Sequence, residues 1–283
     1  MEVQYKMFYK SISKPGKGVE KRDPNEPRIK TYFDILPRKI WSLIKLNFLY
    51  MLAAIPFFIV TWFVAGVVSI PVVEMANSTL VGISASGMDM LLRIVLSYLF
   101  MSFLGQGPVT AGFVYIVREY TEERPVWLTS DFFGRCKKNF KQSFLLWIVD
   151  LLVFYLFAIA FMFYGNTGNW ILQGLLLVVG AIYVMMHIYI HQMMITFDLS
   201  FKNILKNSLL LVVSKAPANL LILLVCIIIY AIIPTIIILS VRNFTLVFFI
   251  LMLEIFIVSP ILNFSINFYI NPILKNSVGT VDD

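Results

Sequence analysis

The chain contains two histidines, His187 and His191. A spacing of four puts both imidazoles on one face of a helix, where they could turn toward a metal ion or a proton path. A metal site needs further ligands, and the apolar stretches offer only Asp150 and Glu254 as carboxylates. No His-Glu-x-x-His pattern is present, so no metal is expected. The favoured reading pairs both acids and both histidines with polar groups inside a helical bundle, or sets them near the cytoplasmic interface, His191 being seven positions before Asp198. Ionisable groups in apolar surroundings are still the default functional candidates. Asn263, Asn267 and Asn271 follow one another at i, i+4 and i+8, a stripe that suits a wet cleft and bonds across helices equally well.

A third feature is Gly105-Gln106-Gly107-Pro108-Val109-Thr110-Ala111-Gly112. Pro108 lacks an amide proton and clashes with the preceding turn, so a helix must kink or break here. Two uses follow. A broken helix can aim its N-terminus at a substrate anion, or small residues such as Gly107, Ala111 and Gly112 can admit a neighbouring helix. Packing is the commoner outcome. Pro56 and Pro234 fit kinks of the same kind. No phosphate-binding loop, dinucleotide fingerprint or Gly-x-Ser-x-Gly motif occurs. Neither a cofactor nor enzymatic activity is therefore expected.

The elements that must hold these residues are membrane spans. Of 283 residues, 59% are hydrophobic and 14% charged, against about 25% charged in soluble proteins. A span needs about 20 mostly apolar residues, and six stretches qualify: 46–73, 94–117, 143–164, 170–197, 216–241 and 244–270. The fold class is all-α, a polytopic bundle of about six transmembrane helices with amphipathic interfacial helices on the cytoplasmic face. Placing both termini in the cytoplasm leaves 21 of the 23 Lys and Arg residues inside, with only Arg93 and Arg242 outside, as the positive-inside rule requires. The expected organisation is a flexible basic tail at 1–32, a membrane domain at 33–275 and a short tail at 276–283. Orientation and lipid account for the net charge of +7, so the bilayer is the expected partner and nucleic acid is not. Cys136 and Cys226 suggest no disulfide, and the oligomeric state stays open.

Two segments read as interfacial helices. In one, Ser130-Asp131 offers an N-cap, and Phe133, Cys136, Phe140 and Phe144 form an apolar face while Arg135, Lys137, Lys138 and Lys141 face elsewhere. In the other, Phe201, Ile204, Leu205 and Leu209 are interleaved with Lys202 and Lys206. Both carry Phe-x4-Lys-Asn, ending at Lys138-Asn139 and Lys206-Asn207, and Ile35 to Asn47 reads as a looser third copy. Such segments anchor a bundle at the headgroups or dock a partner.

Gly107-Pro108-Val109-Thr110-Ala111-Gly112, Arg118, Trp127-x3-Asp131-Phe132-Phe133 and Lys138-Asn139-Phe140-Lys141-Gln142-Ser143 together resemble the YesL family of small bacterial membrane proteins. Phe197-Asp198-Leu199-Ser200 and Leu205-Lys206-Asn207-Ser208 are similar to its second interfacial segment. The resemblance covers roughly residues 33–275. It implies a bacterial cytoplasmic-membrane protein that accompanies a carbohydrate ABC importer, as an accessory subunit touching the importer's permease. The other reading is a small transporter or substrate-capture protein built on the Gly107-Pro108 break.

Overall fold

The structure, a computed structural model, describes residues 27–76, 85–239 and 244–278. Every element among them is helical. Helix α1 (Arg28–Ala76) is followed by α2 (Ala85–Phe103), α3 (Pro108–Thr121), α4 (Leu128–Lys138), α5 (Phe140–Asn166) and α6 (Trp170–Thr196). Then come α7 (Phe201–Ser214), α8 (Ala216–Leu239), α9 (Phe244–Leu253), a π-helical turn (Glu254–Val258) and α10 (Ser259–Val278). Four helices are long and apolar enough to cross a membrane, and up to six spans result if each bent pair counts as one. Those pairs are α2–α3, bent by 50°, and α7–α8, bent by 96°.

The expected flexible tail ends earlier than residue 32. Residues 28–32 are the first turn of α1, because α10 holds them there. Arg28 donates to the Phe268 carbonyl at 2.5 Å and lies over the Phe268 ring, while Tyr32 and Ser265 share a hydrogen bond of 2.7 Å. The rest of the tail lies outside the described residues, and α10 continues through Val278, past the expected boundary at 275. Helix α1 runs for 49 residues with Pro37, Pro56 and Pro71 inside it. Pro56 therefore does not interrupt it. At 1.5 Å per residue the helix is about 70 Å long, more than twice the hydrocarbon thickness of a bilayer. The side chain of Pro234 lies outside what is described.

Two clusters form the interior. Leu43, Leu46 and Tyr50 of α1 pack on Ala111, Ile116 and Val117 of α3, Phe132 of α4 and Phe264 of α10. Leu146 of α5 packs with Tyr189 and Ile190 of α6, Ile204 of α7 and Ile270 of α10. Outside these, Leu156 and Phe163 of α5, Leu175 and Val179 of α6 and Leu221 and Ile228 of α8 are exposed. Such a continuous apolar surface suits hydrocarbon and would associate in water.

The segment expected as one interfacial helix from Asp131 is divided. Helix α4 begins at Leu128, where the Asp131 carboxylate accepts the Trp127 amide at 2.8 Å, so Asp131 closes the first turn rather than capping it. It ends at Asn139, and Phe140, Lys141 and Phe144 belong to α5. The buried face is Phe132 and Cys136, while Phe133 is exposed. One residue of register rotates a helix by about 100°, which exchanges the two adjacent phenylalanines.

At one end of the bundle the charges are tied together. Arg38 of α1 bridges to Glu123 at 2.8 Å, and Lys275 of α10 reaches Glu122 at 3.1 Å. Arg124 pairs with Glu122 at 2.7 Å and Arg118 with Glu122 at 3.5 Å. Partial burial pushes the Glu122 carboxyl upward, but Lys275, Arg118 and Arg124 outweigh it and hold the group below its ordinary value. Glu123 takes a left-handed φ of 55° in a turn where the Arg124 amide returns to the Glu119 carbonyl and the Glu123 amide to the Tyr120 carbonyl, a Schellman-type ending.

Candidate functional site

The Gly-Pro segment breaks the helix outright instead of bending it. Gly105 and Gly107 adopt φ of 91° and 59°, a region that L-residues with a Cβ rarely occupy. Pro108 opens α3 at its first turn, where a missing amide costs nothing. Thr110 Oγ1 accepts the Gln106 amide at 2.6 Å and lies 3.3 Å from the Tyr50 hydroxyl, holding the break shut on itself. A Cβ on Gly105 would come within 2.7 Å of Thr110 Oγ1. Gly112 serves the other purpose expected of small residues. A Cβ there would lie 2.5 Å from Cys136 Sγ and 2.7 Å from the Phe132 carbonyl, so its absence seats α4 against α3. Burial in that seam pushes the Cys136 thiol up to about 11, which makes it a packing residue rather than a nucleophile.

Above the break, six α-helices and the π-helical turn enclose a cavity of about 250 Å³. Asn47 and Tyr50 reach it from α1, Tyr98 and Ser102 from α2, Gly105 from the break and Thr110 from α3. The far wall is His187, His191 and Gln192 of α6, with Tyr230 of α8 and Ser259, Asn263 and Asn267 of α10. Among the described residues no Asp, Glu, Lys or Arg lines it. Several of its polar atoms are buried without a protein partner: both amide atoms of Gln192, Asn267 Oδ1 and His187 Nδ1. Each such group costs about 1–3 kcal/mol when left unbonded.

Residues that are separate in the sequence therefore meet here. Gly105, Thr110, His187, His191, Asn263 and Asn267 all face one space. The asparagine stripe splits, because Asn271 instead donates to Thr121 Oγ1 at 2.6 Å. Asp150 stands behind the wall, with His187 Nε2 2.9 Å from its Oδ1, a contact close enough for charge pairing but not aligned as a hydrogen bond. Tyr183 donates to the same oxygen at 2.6 Å. Glu254 is also behind the wall and accepts from Tyr98 at 3.0 Å. It opens the π-helical turn, and the Ile255 carbonyl in that turn accepts Asn47 Nδ2 at 2.7 Å. π-Bulges recur at functional sites. Among the described residues no three His, Cys, Asp or Glu side chains converge as metal ligands.

Asn47, Tyr98, Gln192, Tyr230 and Ser259 were not singled out by sequence reasoning. Gln192 carried the one available signal, as the polar neighbour of His191 in an apolar run. The basic candidates lie elsewhere. Lys137, Lys138, Lys141, Lys202 and Lys206 are exposed, Arg135 lies 4.0 Å over the Tyr115 ring, and Asn139 donates to the Arg135 carbonyl. Asn207 is half-buried on α7, and Phe140 is exposed at the start of α5.

Helices this long and apolar, enclosing a polar cavity at a broken span, define a multi-pass helical membrane protein. Residues 90–161, from α2 through most of α5, match the family model described as "Protein of unknown function, DUF624". No curated protein and no solved structure matches the chain.

Proposed function

We propose that this protein is a non-enzymatic solute-capture or transport protein of the bacterial cytoplasmic membrane, with both termini in the cytoplasm. The observation that carries this is the pair of buried amides at the cavity, where both side-chain amide atoms of Gln192 and the Oδ1 of Asn267 have no protein partner. Hydrogen bonds to an occupant remove that cost, and the uncharged lining suits a small neutral solute with donors and acceptors. The broken helix supplies the irregular backbone that membrane transport sites tolerate next to a cavity. In the test, the protein is reconstituted into vesicles and the entry of a graded series of neutral polyols and sugars is followed by light scattering. Entry of at least one faster than in protein-free vesicles is expected, and its loss in Gln192→Leu. Rates equal to protein-free vesicles throughout the series overturn the reading.

A second reading, an accessory subunit beside a carbohydrate ABC importer, is supported by the surface of α4 and of Trp127, which precedes it. Trp127 is 81% exposed and Phe133, Lys137 and Lys138 are also exposed. Co-purification of permease subunits that disappears in Lys137→Glu/Lys138→Glu favours it; recovery unaffected by charge reversal removes it.

A further inference from the structure

We infer that Asp150, His187 and His191 form a proton-binding chain that opens into the cavity, so that the cavity's occupant controls proton exchange. This rests on the reading of the cavity as a binding site. Asp150 is 1% exposed and does not line the cavity, whereas both imidazoles do. A lone carboxylate inside an apolar bundle is costly. His187 Nε2, 2.9 Å from Asp150 Oδ1, is the group placed to neutralise it. Tyr183 already donates to that oxygen at 2.6 Å, so the carboxylate acts there as an acceptor, and a proton held at this pair belongs on His187. The opposite ring nitrogen, His187 Nδ1, is buried without a protein partner. The His187 and His191 ring centres lie 5.6 Å apart, a spacing at which one water can join facing ring nitrogens.

The surrounding elements add no competing base. Tyr50 of α1, Tyr98 of α2 with Glu254 behind it, and Cys226 and Tyr230 of α8 are the other titratable groups at the cavity. Among the described residues no Lys or Arg lines it. The transfer balances as follows. A proton from the bulk is carried by the cavity water to His191, and the water is left neutral. His191 then passes a proton through the bridging water to His187 and returns to neutral. The charge gained on His187 is compensated by Asp150. A solute that displaces the cavity water interrupts this path, which couples solute binding to proton exchange.

Because His187 and His191 are the two histidines of the chain, labelling with [15N]histidine reports on this site alone. The measurement is NMR on the full chain in lipid nanodiscs, purified through a tag that contains no histidine. At about pH 7 the wild type is expected to show one doubly protonated and one neutral imidazole, and Asp150→Asn to show both neutral. His191→Asn is expected to keep the imidazolium while its N–H exchange with water slows by about tenfold or more. Two neutral imidazoles in the wild type overturn the inference without relying on a variant. So does an exchange rate unchanged in His191→Asn. Neither result depends on solute flux, so a cavity that moves no solute and a chain that binds no proton are separate outcomes.

Discussion

The two ends of α3, fourteen residues long, have opposite polar chemistry. At its C-terminus Arg118, Glu119 and Glu122 meet Arg124, Lys275 and Thr196, and each charge finds a partner. At its N-terminus Gln106 Nε2, in the break, has none within the protein, and in the cavity that opens from the break neither do the side-chain amide atoms of Gln192 or Asn267 Oδ1. Saturated polar groups fix structure, because removing one partner strands the others. Unsaturated ones weaken the fold and persist where something else binds. The contrast separates a clamp from a site on a single helix.

The middle of α3 offers the largest effect. Gly112→Leu drives a side chain into Cys136 and the Phe132 backbone, separating α4 from α3. A loss of about 3 kcal/mol is expected, read as a lower thermal midpoint in detergent. Disturbing the clamp comes next. Glu122→Gln strands Lys275, Arg118 and Arg124 and should cost about 1–2 kcal/mol, more than an exposed pair because Glu122 is largely buried. The pH dependence has a definite sign. The folded protein holds this carboxyl below its ordinary 4.5, so the stabilisation is present above that pH and is lost as pH falls through the folded-state value. Wild type and Glu122→Gln should therefore converge in acid.

In the cavity the sign reverses. Gln192→Leu exchanges unbonded amide atoms for an apolar side chain of similar size and should raise stability by about 1 kcal/mol, while abolishing any solute flux. Destabilisation of the same size as in Glu122→Gln would erase the distinction between clamp and site. Smallest of all is Glu123→Gly. Relief of the left-handed φ of 55° gains about 0.5–1 kcal/mol, which loss of the Arg38 pair roughly offsets, leaving the midpoint almost unmoved.

The break was legible because Gly105, Gly107 and Pro108 dictate backbone conformation by themselves. So were the long apolar helices, whose length and composition are local properties. The division at Asn139 was not, since Asn and Lys tolerate both helix and cap. Nor was the choice between Phe132 and Phe133, two neighbours of one type separated by a single step of register. The cavity was half legible. Helical spacing brought His187 to His191 and Asn263 to Asn267, yet nothing local shows that these faces meet, or that Asn47 bonds a carbonyl 208 positions away.

That separation bears on how the protein is made. Arg28 and Phe268 are 240 positions apart, Tyr32 and Ser265 are 233 apart, and the Asn47 contact joins the same two regions. A chain that enters the membrane from its N-terminus presents α1 long before α10 exists. The wall of the cavity shared by these helices must therefore be among the last parts to close during synthesis. A ribosome stalled before residue 255 would leave the earlier helices inserted and Asn47 without its partner.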